Sequence, residues 1–251
     1  MAVRLSIILI CKDEASRIRE TLEAVRFADE VVVVDSGSTD GTPEIAAAIA
    51  DRVVVTEDWP GFGPQKNRAL DAATGDWVLS IDADELVSQS LRDEILSAIE
   101  AGTHDAWRVP RLTTFLGREI RHSGWWPDYV LRLFRRGAAR FSNDLVHERV
   151  VFEGSVGTLR NHLQHSGEDD AASLREKSIR YATAAAASLH ADGRSGGPCI
   201  AAAKAAAAFL KNYVVRRGFL DGRAGWVIAI TAAAGKWRRY MRLAELNRGD
   251  A

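Results

Sequence analysis

The chain has 251 residues, enough for one large domain or a domain with an appendage, and a formal net charge of −1. Two cysteines, Cys11 and Cys199, are too few for a disulfide framework or a zinc cluster, and no apolar run approaches the roughly 20 residues of a membrane-spanning helix. The charge is uneven: residues 201–248 hold ten Lys or Arg against only Asp221 and Glu245, which directs the tail toward an anionic partner.

Leu5–Ile10 reads as a strand buried on both faces, and Glu14–Val25 as a helix with apolar residues at Ile18, Leu22 and Val25. Glu30–Val34 is a second strand, Pro43–Ile49 a helix opening on proline, Arg52–Val55 a third strand and Lys66–Ala73 a third helix. A fourth strand from Trp77 runs into Asp82-Ala83-Asp84-Glu85. Strands alternating with helices predict an α/β fold with a parallel sheet, whose ligands bind outside the carboxyl ends of the strands. Those ends carry Cys11-Lys12-Asp13-Glu14, the loop Asp35 to Gly41, and Asp82-Ala83-Asp84, so all three face one crevice. Ser90–Ala101 is a further helix. Residues 107–153 read as short antiparallel strands and loops covering the crevice.

From Ala171 the chain is Ala-rich and helical, broken at Asp192–Pro198 and Arg217–Gly225. Trp226, Ile230, Ala233, Trp237 and Met241 share one helical face, predicted to pack on the domain, within a Lys/Arg belt that also suits anionic lipid. The division expected is 1–170 as one α/β domain in two halves, 1–105 and 106–170, with 171–251 as a C-terminal helical extension.

Asp82 and Asp84 lie two apart, so if extended geometry persists their carboxylates project to one side. Such a pair repels unless a cation sits between, and Mg²⁺ or Mn²⁺ suits carboxylate and phosphate oxygens. The alternative is an acidic surface turn. Asp35 opens a Ser/Thr/Gly-rich loop in which Gly37 and Gly41 permit close backbone approach, while Asp40 or Thr42 caps the next helix. Neither a P-loop nor a Gly-x-Gly-x-x-Gly fingerprint is present.

Four blocks, Ser6 to Glu14, Val33 to Thr42, Gln65-Lys66-Asn67-Arg68-Ala69 and Asp82-Ala83-Asp84-Glu85, resemble the family 2 glycosyltransferases of GT-A fold, the last block as their DXD motif. Arg132-Leu133-Phe134-Arg135 and Val146-His147-Glu148 are similar to bacterial lipopolysaccharide-core β-1,4-glucosyltransferases. The resemblance implies a Rossmann-like, mostly parallel sheet flanked by helices, with 1–105 as the nucleotide-sugar half and 106–170 as the acceptor half of the catalytic domain, and an inverting transfer of glucose from UDP-glucose to an inner-core heptose. It places Glu14 and Asp35 on the nucleoside, Lys66 and Arg68 near the base or diphosphate, Asp82 on ribose and metal, and Asp84 on a Mg²⁺ or Mn²⁺ ion. His165 is a further candidate metal or diphosphate ligand. Lys12-Asp13-Glu14 departs from the Tyr-Asn-Glu of many members.

A carboxylate must take the acceptor's proton, and the candidates are Glu148, favoured, Asp128 and Asp144. Trp125 and Trp126 form either a sugar-stacking wall or a cover for core, and His147 either an acceptor contact or a structural histidine. The arginines of residues 108–140 suit a phosphorylated acceptor or ordinary solvated strands. Rival readings are a polyprenyl-phosphate or other envelope-polysaccharide transferase and a non-catalytic sugar-nucleotide-binding scaffold. A nucleic-acid partner is not expected, since the tail has no recognition module. With one Arg before the first strand and no cleavage-site pattern, the expected location is cytoplasmic, peripheral to the inner face of the membrane.

Overall fold

The computed structural model describes residues 3–143, 149–167 and 170–249. Its elements begin β1 (Leu5–Cys11), α1 (Ile18–Ala24), β2 (Glu30–Asp35), α2 (Thr42–Ala47), β3 (Arg52–Val55), α3 (Phe62–Ala72) and β4 (Trp77–Asp82). There follow β5 (Glu85–Val87), α4 (Gln89–Ala101), β6 (Ala106–Phe115), β7 (Arg118–Glu119), β8 (Asp128–Arg135) and β9 (Ala139–Phe141). Then come β10 (Val150–Phe152), β11 (Val156–Thr158) and β12 (Leu163–Ser166). The remainder is helical: α5 (Ala171–Ala191), α6 (Pro198–Leu210), a π-helical turn (Lys211–Val215), a 3₁₀ turn (Gly218–Asp221) and α7 (Gly222–Arg248).

β1 pairs in parallel with β2 and β4, and β2 with β3. β8 joins β4 antiparallel, and the sheet runs in the order β3-β2-β1-β4-β8-β6-β12-β5. Alternate residues of the central strands take opposite faces. Ile7, Leu9, Val33, Leu79 and Ile81 pack with Leu22 of α1 and Leu91 of α4, whereas Ile8, Ile10, Val32, Val34 and Val78 pack with Ala69 and Leu70 of α3. A strand covered on both faces has no polar alternation, which is why these strands read as apolar runs. The result is the Rossmann-like GT-A arrangement that the sequence predicts: a mixed sheet, parallel across its first four strands, flanked by helices and followed by a helical extension.

Two helix starts differ from the sequence reading. The first helix begins at Ile18 rather than Glu14, because the Glu14 and Ala15 N–H groups donate to Thr42 Oγ1 (2.8 Å) and Asp40 Oδ2 (2.9 Å) of the neighbouring loop. The third begins at Phe62 rather than Lys66. Its Pro64 lies in the first turn, where the missing N–H costs nothing.

The chain forms two compact units. One comprises residues up to Arg111 with those from Asp128 to His165; the other comprises Leu112–Pro127 with those from Ser166 onward. In the second unit, Phe115 and Ile120 pack with Ala224 and Ile228 of α7. The buried face of α7 is Ala224, Gly225, Ile228, Ala229 and Leu243, whereas Trp226, Ile230 and Trp237 are 46%, 43% and 42% exposed. The predicted packing face of Trp226, Ile230 and Trp237 is therefore corrected: these side chains turn outward. Close approach explains the inversion. A Cβ on Gly225 would lie 1.8 Å from the Gly218 carbonyl oxygen, and one on Gly235 would lie 2.6 Å from Ser178 Oγ of α5. Only the small-residue face of α7 fits there. Among the described residues, no helix is long and apolar enough to cross a membrane.

Candidate active site

The parallel register brings the strand ends level, with Ile10 beside Asp82 and Cys11 beside Asp35. The β1 and β2 loops are joined directly: Asp13 N–H donates to Ser38 Oγ (2.8 Å), and Thr39 N–H donates to Asp13 Oδ1 (2.9 Å). Asp35 is fully buried, and its carboxylate accepts from the Gly37 and Ser38 N–H groups (2.9 and 2.8 Å), from Ser38 Oγ and from Cys11 Sγ (3.5 Å). Asp35 thus shapes its own loop. Burial, reinforced by the Asp35 charge, pushes the Cys11 thiol far up, so it stays protonated.

At the end of β4 the extended geometry does not persist, because Ala83 and Asp84 form a turn before β5. Thr21 Oγ1 anchors this turn on the Ala83 carbonyl (2.7 Å). The two aspartates consequently have separate partners. Asp82 Oδ1 meets Lys66 Nζ of α3 at 2.9 Å, and Oδ2 accepts from Arg132 of β8. Arg132 also reaches Glu85 Oε1 (2.7 Å), which lies 3.5 Å from Arg111, and Arg111 grips Asp128 Oδ2 through Nε (3.0 Å) and Nη2 (2.7 Å). Lys66, Asp82, Arg132, Glu85, Arg111 and Asp128 therefore form a chain of alternating charge.

Burial alone would raise the Asp82 carboxyl, but Arg132 and Lys66 outweigh it and hold the group far below the usual carboxylate range. Glu85 is wholly buried, and burial keeps its carboxyl above the usual range against the pull of Arg132. Desolvation opposes the charge on Arg132, but Asp82 and Glu85 more than compensate. Removing one member of such a network leaves an uncompensated buried charge.

Asp84 stands apart from this chain. β12 pairs antiparallel with β5, His165 opposite Glu85, and this register sets His165 Nε2 3.3 Å from Asp84 Oδ2. Glu14 pairs with Arg17 at 3.5 Å. Burial raises the Glu14 carboxyl, Arg17 opposes, and the Asp84 charge adds to the rise, which puts Glu14 within electrostatic reach of Asp84. Among the described residues no group of three or more His, Cys, Asp or Glu could hold a metal ion.

The other predicted residues are distributed as follows. Arg68 is held by Asp58 through Nη1 (2.9 Å) and Nη2 (2.6 Å) and contacts Gln65 Oε1 (2.9 Å). In the second unit, Trp125 packs on Phe115 with centroids 5.7 Å apart, a cover for core, and Trp126 lies beneath the Arg121 guanidinium at 5.8 Å. Asp144, His147 and Glu148 lie outside the described residues. Sequence reasoning places Arg111 and Arg132 among arginines suited to a phosphorylated acceptor or to solvated strands, and Glu85 in the last family block; it does not join them to Asp82, as the structure does. The available signal is Arg132 itself, a cation buried beside Leu133 and Phe134 in a strand.

Residues 6–156 match the family model described as glycosyl transferase family 2. An uncharacterized glycosyltransferase of Rickettsia typhi is 31% identical over 257 residues, covering 97% of this chain and 88% of the relative. The lipopolysaccharide core biosynthesis glycosyltransferase LpsC of Rhizobium meliloti is 36% identical over 168 residues, or 62% of this chain and 60% of that protein. Among solved structures, the mannosyltransferase PcManGT of Pyrobaculum calidifontis, in complex with GDP-Man and Mn²⁺, superposes with a TM-score of 0.55 at 20% identity, covering 94% of this chain and 87% of that one. That likeness shows the fold. The family match spans more than half of the chain, and with the full-length relatives it establishes that the protein belongs to glycosyl transferase family 2 and is a glycosyltransferase.

Proposed function

We propose that the protein is an inverting, metal-assisted hexosyltransferase that moves glucose from UDP-glucose to a lipopolysaccharide inner-core heptose. One observation carries the donor half of this reading: at one strand end, the Asp84–His165 pair lies two residues from a carboxylate bound to the buried Lys66. The core acceptor draws its support from the likeness to LpsC.

In this reading the acceptor hydroxyl attacks C1 of the sugar, the C1–O bond to the diphosphate breaks with inversion, and the hydroxyl proton passes to a carboxylate. Glu148 is the favoured base. Asp128 is the alternative, with Oδ1 left to accept, since both bonds from Arg111 fall on Oδ2. Glu14 and the loop that Asp35 organises hold the nucleoside. Lys66, steered by Asp82, faces the diphosphate, and Arg68, held by Asp58, is assigned near the base or diphosphate.

Asp84 and His165 offer one hard oxygen and one imidazole, a donor set that fits Mn²⁺ and also Mg²⁺ where phosphate oxygens complete the shell. When bound, such an ion neutralises charge growing on the leaving diphosphate. The test is purified protein with a panel of sugar nucleotides and truncated core acceptors, read by product mass. Incorporation of hexose from UDP-glucose onto a heptose-terminated core is expected. Transfer only to polyprenyl phosphate, or none with any donor, would refute the reading.

The outward Trp226, Ile230 and Trp237 are accompanied by an aromatic group in which the half-buried Phe209 and Tyr213 and the exposed Trp226 lie 5.3–5.4 Å apart between centroids. With the Lys/Arg belt around them, these side chains support docking of the C-terminal helices on the anionic inner face of the cytoplasmic membrane. Flotation with anionic liposomes measures this. Protein that stays at the bottom of the gradient removes the membrane from the proposal.

A further inference from the structure

The second unit contains a cavity of about 440 Å³ to which Arg121, His122, Trp126, Arg216 and Arg217 contribute, and among the described residues no carboxylate lines it. That volume falls within the roughly 300–1,000 Å³ of small-molecule sites and is far larger than an ion needs. Its walls are held in place by other groups. His122 Nδ1 lies 3.0 Å from Asp221 Oδ1, and the buried Asp221 also accepts from the His122 N–H (3.2 Å) and from Ser123 Oγ (2.8 Å). Those bonds leave Nε2 as the second ring nitrogen of a fixed imidazole.

Ser123 N–H donates to the Arg216 carbonyl oxygen (3.1 Å) and ties the two segments of the wall together. Arg216 lies across Gly124: a Cβ there would meet its Nη1 at 2.1 Å, so the absence of a side chain makes the slot for this guanidinium. Asn212 Oδ1 accepts from the same Nη1 at 3.2 Å. Arg121 is tied to Glu119 at 2.9 Å and lies over the Trp126 ring. Arg217 has no carboxylate partner among the described residues. Ser123 and Arg217 both hold left-handed backbone, at φ 58° and 53°, a cost of about 1–3 kcal/mol each that persists where surrounding structure enforces it.

Arg216 and Arg217 line one cavity with no carboxylate partner among the described residues; a guanidinium matches the planar, bidentate geometry of a phosphoryl group, and an indole face suits a sugar ring. We propose that this cavity binds a phosphorylated sugar, its phosphoryl group on Arg216 and Arg217 and its ring against Trp126. The ligand's identity as a phosphate-bearing part of the acceptor glycan rests on the transferase reading above. The cavity's preference for a sugar phosphate does not depend on turnover.

Calorimetry with glucose 6-phosphate, glucose and inorganic phosphate tests it directly. Wild-type protein is expected to bind glucose 6-phosphate more tightly than either fragment. Arg217→Asn, which removes the cation yet suits left-handed backbone, and Arg216→Gln should each weaken that binding about ten-fold or more, with UDP binding unchanged. Circular dichroism verifies that both variants fold. Equal affinity for glucose and glucose 6-phosphate, or no loss in either folded variant, overturns the proposal. A parallel arm uses phosphatidylcholine vesicles with and without phosphatidic acid. Arg217-dependent vesicle binding without glucose 6-phosphate binding also overturns it, in favour of a lipid headgroup. Should Asp84→Asn retain full transfer, the catalytic reading fails while the calorimetric result still stands, so the two failures are distinguishable.

Discussion

The two units use arginine in opposite ways. In the sheet unit, Arg132 and Arg111 are wedged between carboxylates, and their charge is consumed in fixing β8 and β6 to the end of β4. In the helical unit, Arg216 and Arg217 line a cavity with no carboxylate among the described residues, and Trp226, Ile230 and Trp237 of α7 face outward. Desolvated charge must be matched inside the protein, whereas charge at an open wall remains available to a ligand. Substitutions of the arginines in the first unit should therefore be read out as stability, and those of Arg216 and Arg217 in the second as binding.

The largest expected effect is at the centre of the charge chain. Arg132→Ala takes the nearer of two cations from the wholly buried Glu85, leaving Arg111 at 3.5 Å, and one of two from Asp82, so the loss should be about 3–5 kcal/mol. Urea denaturation measures it. A loss below 1 kcal/mol would mean that these charges are not desolvated as the geometry requires. Asp84→Asn sharpens the contrast within the same strand end: transfer should fall by about 10²–10³-fold, the scale of losing one group that stabilises transition-state charge. Because Asp84 lies outside the chain, its urea midpoint should hold. A fully active Asn variant would sink the assignment.

Smaller effects mark the edges of the comparison. Glu30 accepts from Ser6 Oγ, Thr74 N–H (2.7 Å) and Thr74 Oγ1 (3.0 Å), and these donors, with Arg4, outweigh burial and lower its carboxyl below the ordinary 4.5. A depressed folded value stabilises the fold above pH 4.5, and that contribution is lost as the pH falls through the folded value. Glu30→Gln should thus cost about 1 kcal/mol at neutral pH and progressively less in acid. A pH-independent difference contradicts the account. Ile230→Gln, on the exposed face of α7, should change stability by no more than about 0.5 kcal/mol while reducing liposome binding. Undiminished binding would move any membrane contact elsewhere.

Much of the sheet is legible in the sequence because β1, β2 and β4 are covered on both faces, and apolar residues dominate their buried stretches, with the small Ser6 and Ser80 as buried exceptions. The ends of these strands are legible for the converse reason, since a carboxylate where such a run stops must meet solvent, a cation or a ligand. The partition of Asp82 from Asp84 is not legible. It follows from a turn at Ala83–Asp84 and from two pairings distant in sequence: β8 brings Arg132, and β12 brings His165. The face of α7 is misread for a different reason. Helical periodicity locates a bulky apolar stripe, but the close approach at Gly225 and Gly235 makes the small-residue face the buried one.

By itself, then, the sequence determined an α/β sheet with three acidic loops at one edge, and its four spaced blocks determined the family. These are local properties, written in runs of residues whose burial or turn chemistry depends on near neighbours. Only the tertiary structure decided which carboxylate is neutralised by arginine and lysine and which is left beside a histidine. It likewise decided that Arg216 and Arg217 share a wall with Trp126. Register and packing bring those groups together across long stretches of chain, and charge responds to whatever lies within a few ångströms in space.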